Sequence, residues 1–318
     1  MEKILITDQF DETLLDNFSK KYPVTFKPDI SYGELIKEVT GYEILIISTR
    51  IPITKEIVEN ATKLKLIIRM GIGVDHIDLE QCKKHKIIVC NTPNSNISSV
   101  VELVFGQIIR EYRSLDLANA NVLNGNFRHK YHLGDELKDK TIGVIGVGRI
   151  GSRLCNLAKM FEMTVVGYDP YLTKAKIKKA KVDKWLPLPE LLNCSDIVTL
   201  HIPHTKETDR LINKTFLSMM KKDSILINVA RGKVANFNDV LEFAKKDIIR
   251  KFIFDVFPEE PCKIDLPEEL KDYFYFSPHI GAYTKESLVN RSIEAIEQLE
   301  EYFFGKKPHG KIDFKKGY

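Results

Sequence analysis

The stretch Thr141-Ile-Gly-Val-Ile-Gly-Val-Gly-Arg-Ile-Gly151 decides the fold of this chain. Its first half is an apolar run typical of a buried strand, and a segment with apolar residues at helical spacing follows it. A Gly-x-Gly-x-x-Gly pattern between a strand and a helix predicts a dinucleotide-binding unit. Gly146 is expected to make the tight turn, Gly148 to let the backbone approach a pyrophosphate, and Gly151 to let the helix pack closely.

Residues next to this turn complete the predicted cofactor site. The helix that opens at Arg149 and Ile150 points its backbone amides and its dipole toward the phosphates. Asp169 ends the next strand, at about the 20-residue distance where a carboxylate accepts hydrogen bonds from ribose hydroxyls. Because a carboxylate there repels a 2′-phosphate, the pattern predicts NAD rather than NADP as the cofactor.

Short β-branched runs alternate with amphipathic stretches on both sides of the turn. This alternation predicts an α/β fold with two doubly wound parallel sheets, one in each of two domains. Between the two series of strands, Ser98 to about Asn124 lacks proline and is predicted to form one long connecting helix. A last amphipathic stretch, about Ser287 to Phe304, predicts a final helix. The predicted strands are residues 3–7, 44–48, 66–69 and 87–90, then 141–146, 164–168, 197–201, 225–229, 252–256 and 273–276.

Composition narrows the class of protein. The 318 residues are 43% hydrophobic and 29% charged, which excludes collagen-like and disordered chains. No run approaches the roughly 18 apolar residues needed to span a bilayer, and no leader precedes the first strand, so we expect a cytoplasmic protein without a membrane partner. The net charge of +4 is modest, and the cluster Lys174–Lys181 lacks interleaved aromatic residues, so nucleic acid binding is not expected. Five scattered cysteines without a Cys-x-x-Cys pair predict reduced thiols and no metal site.

A nicotinamide enzyme needs a group that binds the substrate carboxylate, a proton donor or acceptor, and a third group that orients this donor or acceptor. Three further residues fit these roles. Arg231 follows a predicted strand and could grip a carboxylate with its forked guanidinium. His279 follows the last predicted strand, and histidine suits proton transfer at neutral pH. Glu260 could hydrogen-bond that imidazole, hold its tautomer and favour its protonated form. Taken singly, Arg231 fits an ordinary surface arginine equally well, while Glu260 fits a solvated loop acid and His279 a structural histidine better than a catalytic role.

Six phrases of the sequence together resemble the D-isomer-specific 2-hydroxyacid dehydrogenase family, and they span nearly the whole chain. The resemblance implies an NAD-dependent oxidoreductase that acts on the CH–OH group of a D-2-hydroxy acid. It assigns the substrate carboxylate to Arg231, the acid/base role to His279, and the partner of that histidine to Glu260. The phrases are Arg69-Met-Gly-Ile-Gly-Val-Asp75, Asn91-Thr-Pro-Asn-Ser-Asn96, Gly146–Gly151, Asn228-Val-Ala-Arg-Gly232, Asp255-Val-Phe-Pro-Glu-Glu-Pro261 and Ser277-Pro-His-Ile-Gly-Ala282.

The resemblance also implies a domain organisation that periodicity alone does not give. A discontinuous, flavodoxin-like substrate-binding lid domain is expected over residues 1–98 plus 286–318. A Rossmann NAD-binding domain is expected over residues 99–285, with a cleft between the two domains. A homodimer joined through the NAD-binding domains is implied as well.

Within the family, the resemblance is greatest to the branch that converts 3-phosphoglycerate to 3-phosphohydroxypyruvate in serine biosynthesis. It implies that backbone amides at Ile72, Gly73 and Val74 bind the substrate carboxylate and that Asp255 contacts the nicotinamide amide. Arg50 stands where members of that branch carry a basic residue, so it is a candidate ligand for the distal anion, with an exposed loop arginine as the alternative.

Other functions fit the same motifs. A glyoxylate or hydroxypyruvate reductase, or a D-lactate-type dehydrogenase, would use the same three catalytic residues. A formate dehydrogenase is disfavoured, because that branch pairs its histidine with glutamine and this chain offers Glu260. An NAD-sensing, corepressor-like binding protein is the alternative from another class.

Overall fold

The structure is a computed structural model, and residues 1–127 and 133–314 are described. Over these residues the chain forms two compact units, each built on one parallel sheet. Unit 1 contains Met1–Asn96 and the chain from Ala282 onward, and unit 2 contains Ile97–Gly281. The predicted α/β class with two parallel sheets is confirmed.

Unit 1 alternates strands and helices along the chain. Its strands are β1 (Ile4–Ile6), β2 (Val24–Phe26), β3 (Ile44–Ile47), β4 (Leu66–Arg69) and β5 (Ile88–Asn91). Its helices are α1 (Glu12–Lys21), α2 (Tyr32–Glu38), α3 (Lys55–Asn60), α4 (Leu79–Lys84) and the late helix α12 (Lys285–Phe303), with a short 3₁₀ helix at Val39–Gly41. The strands of the described chain pair in the order β2-β1-β3-β4-β5.

The first sheet is buried on both faces, which explains why its strands are nearly continuous apolar runs. On one face, Ile4, Ile44 and Ile68 pack with Ala295 and Leu299 of α12. A helix from the last part of the sequence therefore completes the core of a sheet built from the first part, and unit 1 is discontinuous.

The segment after α12, residues 306–312, returns to the edge strand β5, and we call it the return segment. Asn91 N donates a hydrogen bond to Gly310 O at 3.0 Å. Gln298 of α12 links β5 to the return segment, because its Nε2 donates to Asn91 O at 2.7 Å and its Oε1 accepts from Gly310 N at 3.0 Å. The return segment thus covers part of the open edge of the sheet.

Unit 2 starts with two helices and continues with alternating strands and helices. Its strands are β6 (Thr141–Ile145), β7 (Thr164–Tyr168), β8 (Lys184–Trp185), β9 (Ile197–Leu200), β10 (Ile225–Asn228), β11 (Lys251–Phe254) and β12 (Phe274–Phe276). Its helices are α5 (Ile97–Tyr112), α6 (Leu115–Leu123), α7 (Arg149–Met160), α8 (Lys174–Lys179), α9 (Leu188–Cys194), α10 (Lys214–Ser218) and α11 (Phe237–Ala244), with 3₁₀ helices at Gly232–Val234 and Glu268–Tyr273.

Strand order positions the candidate site of unit 2. The described strands pair in the order β12-β11-β10-β9-β6-β7-β8, all parallel. The chain leaves β6 toward β7 on one side and later returns to β9 on the other, so the strand order reverses at β6. Ligands of open α/β sheets bind at such a switch point, beyond the carboxyl ends of the strands.

Three details differ from the sequence-based expectations. The single helix predicted from Ser98 to Asn124 is wrong, because α5 ends at Tyr112 and α6 begins at Leu115. Ser114 between them has a left-handed φ of 48°, which no residue within a right-handed helix can adopt. Strands β2 and β8 were not predicted, since both are short, lie at sheet edges and are only partly buried.

Candidate active site

The glycine turn after β6 has the geometry that a bound pyrophosphate requires. Gly146 has φ of 87°, and a Cβ on it would lie 2.6 Å from the carbonyl oxygen of His201. A Cβ on Gly151 would lie 2.2 Å from Gly146 O, so only glycine lets α7 pack this closely. A Cβ on Gly148 would meet nothing within 4 Å, which leaves its backbone open to a ligand.

The first turn of α7 and the end of β7 surround this open backbone. Arg149 is exposed and Ile150 is partly buried at the start of α7, whose N-cap residue Gly148 makes no side-chain capping bond. The Asp169 carboxylate accepts hydrogen bonds from Val147 N at 3.0 Å and from Tyr171 N at 3.0 Å. A carboxylate is therefore fixed beside the glycine turn, where helix amides and an acid can bind phosphate and ribose respectively.

A histidine and a carboxylate meet at the same edge of the sheet. His279 follows β12, and Glu260 lies in the loop after β11. The distance from His279 Nδ1 to Glu260 Oε2 is 2.6 Å, and the second carboxylate oxygen, Oε1, accepts from Phe257 N at 2.9 Å. About 45% of the His279 side chain is exposed, so the imidazole is oriented by the glutamate and still accessible.

Arg231 lies in a tight turn after β10 that the buried Asn228 stabilises. The Asn228 amide donates to Arg231 O at 3.0 Å and accepts from Ala230 N at 3.1 Å. Arg231 Nη1 donates to Ala230 O at 2.6 Å, and the side chain is partly buried. A Cβ on Gly232 would lie 1.9 Å from the backbone of Phe257, so this turn packs directly on the loop that carries the glutamate.

Asp255 follows β11 and is 2% exposed. Its carboxylate accepts from Ser277 Oγ at 2.5 Å, Ile280 N at 2.9 Å and Gly281 N at 2.8 Å. Its carbonyl oxygen accepts from His279 N at 2.8 Å. The structure thus brings Asp255, Glu260 and His279 into one hydrogen-bonded group within unit 2.

Several residues of this site were not identified from the sequence. The segment His201-Ile-Pro-His-Thr205 follows β9 and packs on Gly146, so it borders the glycine turn. Thr199 Oγ1 lies 3.0 Å from His201 Nε2, and burial lowers the pKa of this histidine to about 4, which keeps it neutral at pH 7. The rule that ligands collect beyond strand ends could have identified the segment. The roles of Asn228 and Ser277 depend on side-chain contacts that have no signature in sequence.

The remaining predicted residues lie in unit 1 at the carboxyl ends of its strands. Arg50 follows β3 and donates to the carbonyl oxygens of Ile30 and Thr7, each at 2.8 Å. Ile72 and Gly73 are partly buried and Val74 is buried in the loop after β4, where Ile72 O accepts from Asn91 Nδ2 at 2.7 Å.

In residues 1–127 and 133–314, no group of three or more histidine, cysteine, aspartate or glutamate side chains could hold a metal ion. Cys82, Cys90 and Cys155 are buried there, and burial raises the pKa of each thiol to about 12. No helix in the same ranges is both long enough and apolar enough to cross a bilayer.

Comparison with known proteins gives the family. The protein-family model described as D-isomer specific 2-hydroxyacid dehydrogenase, NAD binding domain, matches residues 105–281 of this sequence. This range includes the glycine turn and the His279–Glu260 pair. The chain belongs to the D-isomer-specific 2-hydroxyacid dehydrogenase family. The family resemblance stated from the sequence is confirmed.

Proteins with different names are similar to this chain. The D-3-phosphoglycerate dehydrogenase of Methanocaldococcus jannaschii is 35% identical over 96% of this chain, which spans only 58% of that relative. The D-lactate dehydrogenase of Aquifex aeolicus, complexed with NAD and lactic acid, has a TM-score of 0.82 and 29% identity, covering 95% of this chain and 96% of that one. An acyclic imino acid reductase, Bsp5, in complex with NADPH and D-Arg, has a TM-score of 0.88 and 27% identity, covering 98% and 100%.

Proposed function

We propose that this protein is an NAD-dependent oxidoreductase that interconverts a D-2-hydroxy acid and its 2-keto acid. The observation that carries the proposal is the 2.6 Å contact between His279 and Glu260, on the sheet that also bears the glycine turn. For the substrate pair we propose 3-phospho-D-glycerate and 3-phosphohydroxypyruvate, the reaction that begins serine biosynthesis. Relatives named D-3-phosphoglycerate dehydrogenase support this choice.

The residues around the glycine turn fit a dinucleotide. The open backbone at Gly148 and the first amides of α7 would hold the pyrophosphate, and Asp169 would bind the adenosine ribose. The bound cofactor would supply the hydride acceptor for oxidation and the hydride donor for reduction. Because the Asp169 carboxylate is negative, we propose NAD rather than NADP.

In the oxidative direction, His279 would accept the proton of the substrate hydroxyl. With Nδ1–H donating to Glu260, the lone pair of Nε2 is available for that proton. Among the described residues, Nε2 has no hydrogen-bond partner, and the side chain is partly exposed. In reduction, the same nitrogen would return the proton to the forming hydroxyl.

Arg231 would hold the substrate carboxylate and polarise the carbonyl carbon–oxygen bond. Its guanidinium presents donors in a fork that matches a carboxylate. The turn that carries it is fixed by the buried Asn228 and packs on the loop bearing Glu260. A rigid turn limits the entropy lost when the substrate binds.

For the remaining substrate contacts, we propose residues of unit 1. Backbone amides at Ile72, Gly73 and Val74 would bind the carboxylate. Arg50 would bind the distal phosphate; two of its five N–H groups already donate to backbone carbonyls, which fixes the direction of the guanidinium.

A homodimer joined through unit 2 is proposed as the working form, with no nucleic acid or membrane partner. Helix α6 supports it, because none of its residues is buried. Leu117 is 53% and Leu123 is 78% exposed on this helix. Clustered large apolar side chains at a surface mark an interaction site, and a second copy of the chain is the proposed occupant. Cytoplasmic localisation stays a prediction.

A substrate panel tests the proposed function. The purified protein is given NADH with phosphohydroxypyruvate, hydroxypyruvate, glyoxylate, pyruvate or 2-ketoglutarate, and kcat/KM is compared. We expect turnover with several of these and the highest value for phosphohydroxypyruvate. Preference for an unphosphorylated acid would reject the phosphoglycerate assignment, in favour of the reductase or lactate-type alternatives. Binding of NADH without turnover of any acid would favour the corepressor-like alternative.

A further inference from the structure

Asp255 makes its hydrogen bonds to both sides of one residue, His279. On the N-terminal side, its carboxylate accepts from the hydroxyl of Ser277. On the C-terminal side, it accepts from the backbone amides of Ile280 and Gly281. Its own carbonyl oxygen accepts from the amide of the histidine itself. These four bonds fix the backbone of residues 277–281 around the imidazole.

These hydrogen bonds hold His279 in a backbone conformation that residues other than glycine rarely adopt. His279 has φ of 54°, in the left-handed region where the Cβ crowds the following carbonyl. Such a conformation persists only where the surroundings hold it. The buried carboxylate of Asp255 is the group in direct contact with both flanks of that residue.

The hydrogen-bonding capacity of Asp255 is largely used within the turn. A carboxylate offers about four lone-pair sites, and Ser277, Ile280 and Gly281 occupy three of them. Asp255 is 2% exposed, and its remaining site can accept one further N–H group. The family-based expectation that Asp255 contacts the nicotinamide amide stays a prediction.

We propose that Asp255 is a positioning residue for His279, acting through the turn whether or not it also contacts the cofactor. It holds the left-handed backbone of the histidine, and this keeps the imidazole on Glu260 with Nε2 directed outward. The inference rests on the proposed function, in which that histidine moves the substrate proton. It predicts that Asp255 controls turnover much more than cofactor affinity.

The variant Asp255→Asn tests the inference with two cofactors. An asparagine oriented to accept from Ser277 would turn its NH₂ group toward Gly281 N–H, so that two donors face each other. We expect kcat to fall about 10²-fold, the loss typical of a catalytic group displaced by about 1 Å, with the Kd for NADH changed less than about threefold. The assay is repeated with 3-acetylpyridine adenine dinucleotide, in which a methyl group replaces the NH₂ of the nicotinamide amide.

The two cofactors separate the two roles. If Asp255 positions the histidine, the variant loses the same factor in kcat with NAD and with the analogue. If Asp255 acts only by binding the nicotinamide amide, the wild type already loses that contact with the analogue, so the penalty of the variant disappears. The second result, or a large rise in Kd for NADH with unchanged kcat, would overturn the proposal.

Two further variants keep the test decisive should Asp255→Asn fold poorly. Ser277→Ala removes one bond to the carboxylate, and Gly281→Ala adds a methyl group 3.0 Å from Asp255 Oδ2. Both leave Glu260 and Arg231 intact, and both should lower kcat and shift the imidazole NMR signals of His279 without changing NADH affinity. Unchanged signals in both would reject the positioning role. A wild-type protein without turnover of any 2-keto acid would instead reject the proposed function.

Discussion

His279 depends on two neighbours that act on different parts of it. Glu260 contacts the ring at Nδ1, and Asp255 fixes the backbone. Glu260 was predicted as its partner from the family resemblance, since the residues alone favoured a solvated loop acid. The backbone role of Asp255 was not recognised, since a left-handed φ at a histidine is visible only in coordinates.

The first prediction concerns this histidine. Replacing His279 with alanine should lower kcat about 10²- to 10⁴-fold, the usual contribution of a positioned acid/base group. NADH binding should persist, because the glycine turn and Asp169 are unchanged. Steady-state kinetics and NADH fluorescence titration measure the two quantities.

A matched control for this variant exists in unit 1. His309 Nδ1 lies 3.0 Å from Glu301 Oε2, a second histidine–carboxylate pair. His309→Ala should keep near-normal kcat. Equal losses in the two variants, or near-normal turnover in His279→Ala, would contradict the acid/base assignment.

The second prediction concerns cofactor choice. Replacing Asp169 with serine removes the negative charge expected beside the adenosine ribose. Discrimination against NADPH, measured as the ratio of kcat/KM for NADH and NADPH, should fall about fivefold or more, since two like charges about 4 Å apart in water repel by roughly 1 kcal/mol. Asp265→Ser changes the net charge equally in an exposed loop and should leave the ratio unchanged. An unaltered ratio in Asp169→Ser would argue against the ribose role.

At the scale of elements, burial explains which strands could be predicted. β3 (Ile44–Ile47) is buried at every position, so its sequence is an uninterrupted apolar run. β2 (Val24–Phe26) pairs on one side only, and its residues are half-buried or exposed. Edge strands need less apolar surface, so composition does not separate them from loops. The break at Ser114 has a different origin, because apolar spacing continues across it while the helical backbone does not.

The return segment contains a histidine held between two carboxylates. His309 Nε2 lies 3.1 Å from Glu294 Oε1, and its Nδ1 lies 3.0 Å from Glu301 Oε2. Partial burial disfavours the charged imidazole, but hydrogen bonds to Glu294 and Glu301 outweigh this and raise the pKa of His309. Both carboxylates accept a hydrogen bond from the ring only when both ring nitrogens carry protons.

The third prediction follows from that raised pKa. His309 should stabilise unit 1 fully below the ordinary histidine pKa of about 6.5, and the contribution should disappear as the pH rises through the higher folded-state value. The difference in unfolding free energy between wild type and His309→Gln should be about 0.5–1 kcal/mol at low pH, since the pair is partly exposed. Urea unfolding followed across this pH range measures it. A difference that grows with increasing pH would contradict the assignment.

Motif spacing across the sequence identified the family and the α/β class. The glycines of the turn, and the candidate site residues that follow strands, were identified because cofactor binding and catalysis require particular residue types at those positions. The contacts of Arg50 with Thr7 and Ile30 could not be predicted, because they join three separate loops. Sequence patterns report local structure well and long-range side-chain contacts poorly.

The fourth prediction concerns oligomeric state. If α6 forms the dimer interface, Leu123→Asp should convert a dimer into a monomer, because it buries a charge among apolar side chains. Phe304→Asp provides a control, since Phe304 is 72% exposed in unit 1. Sedimentation velocity measures the mass of each variant. A wild-type monomer, or a Leu123→Asp variant that stays dimeric, would exclude this interface.

The discontinuity of unit 1 has a consequence during synthesis on the ribosome. Ile4, Ile44 and Ile68 leave the exit tunnel early, whereas the residues of α12 that cover them, Ala295 and Leu299, are translated more than 200 positions later. Residues 97–281 form one continuous stretch and can fold as soon as they emerge. The nascent chain therefore exposes one apolar sheet face until α12 has been translated, and that face is where a cotranslational chaperone would bind.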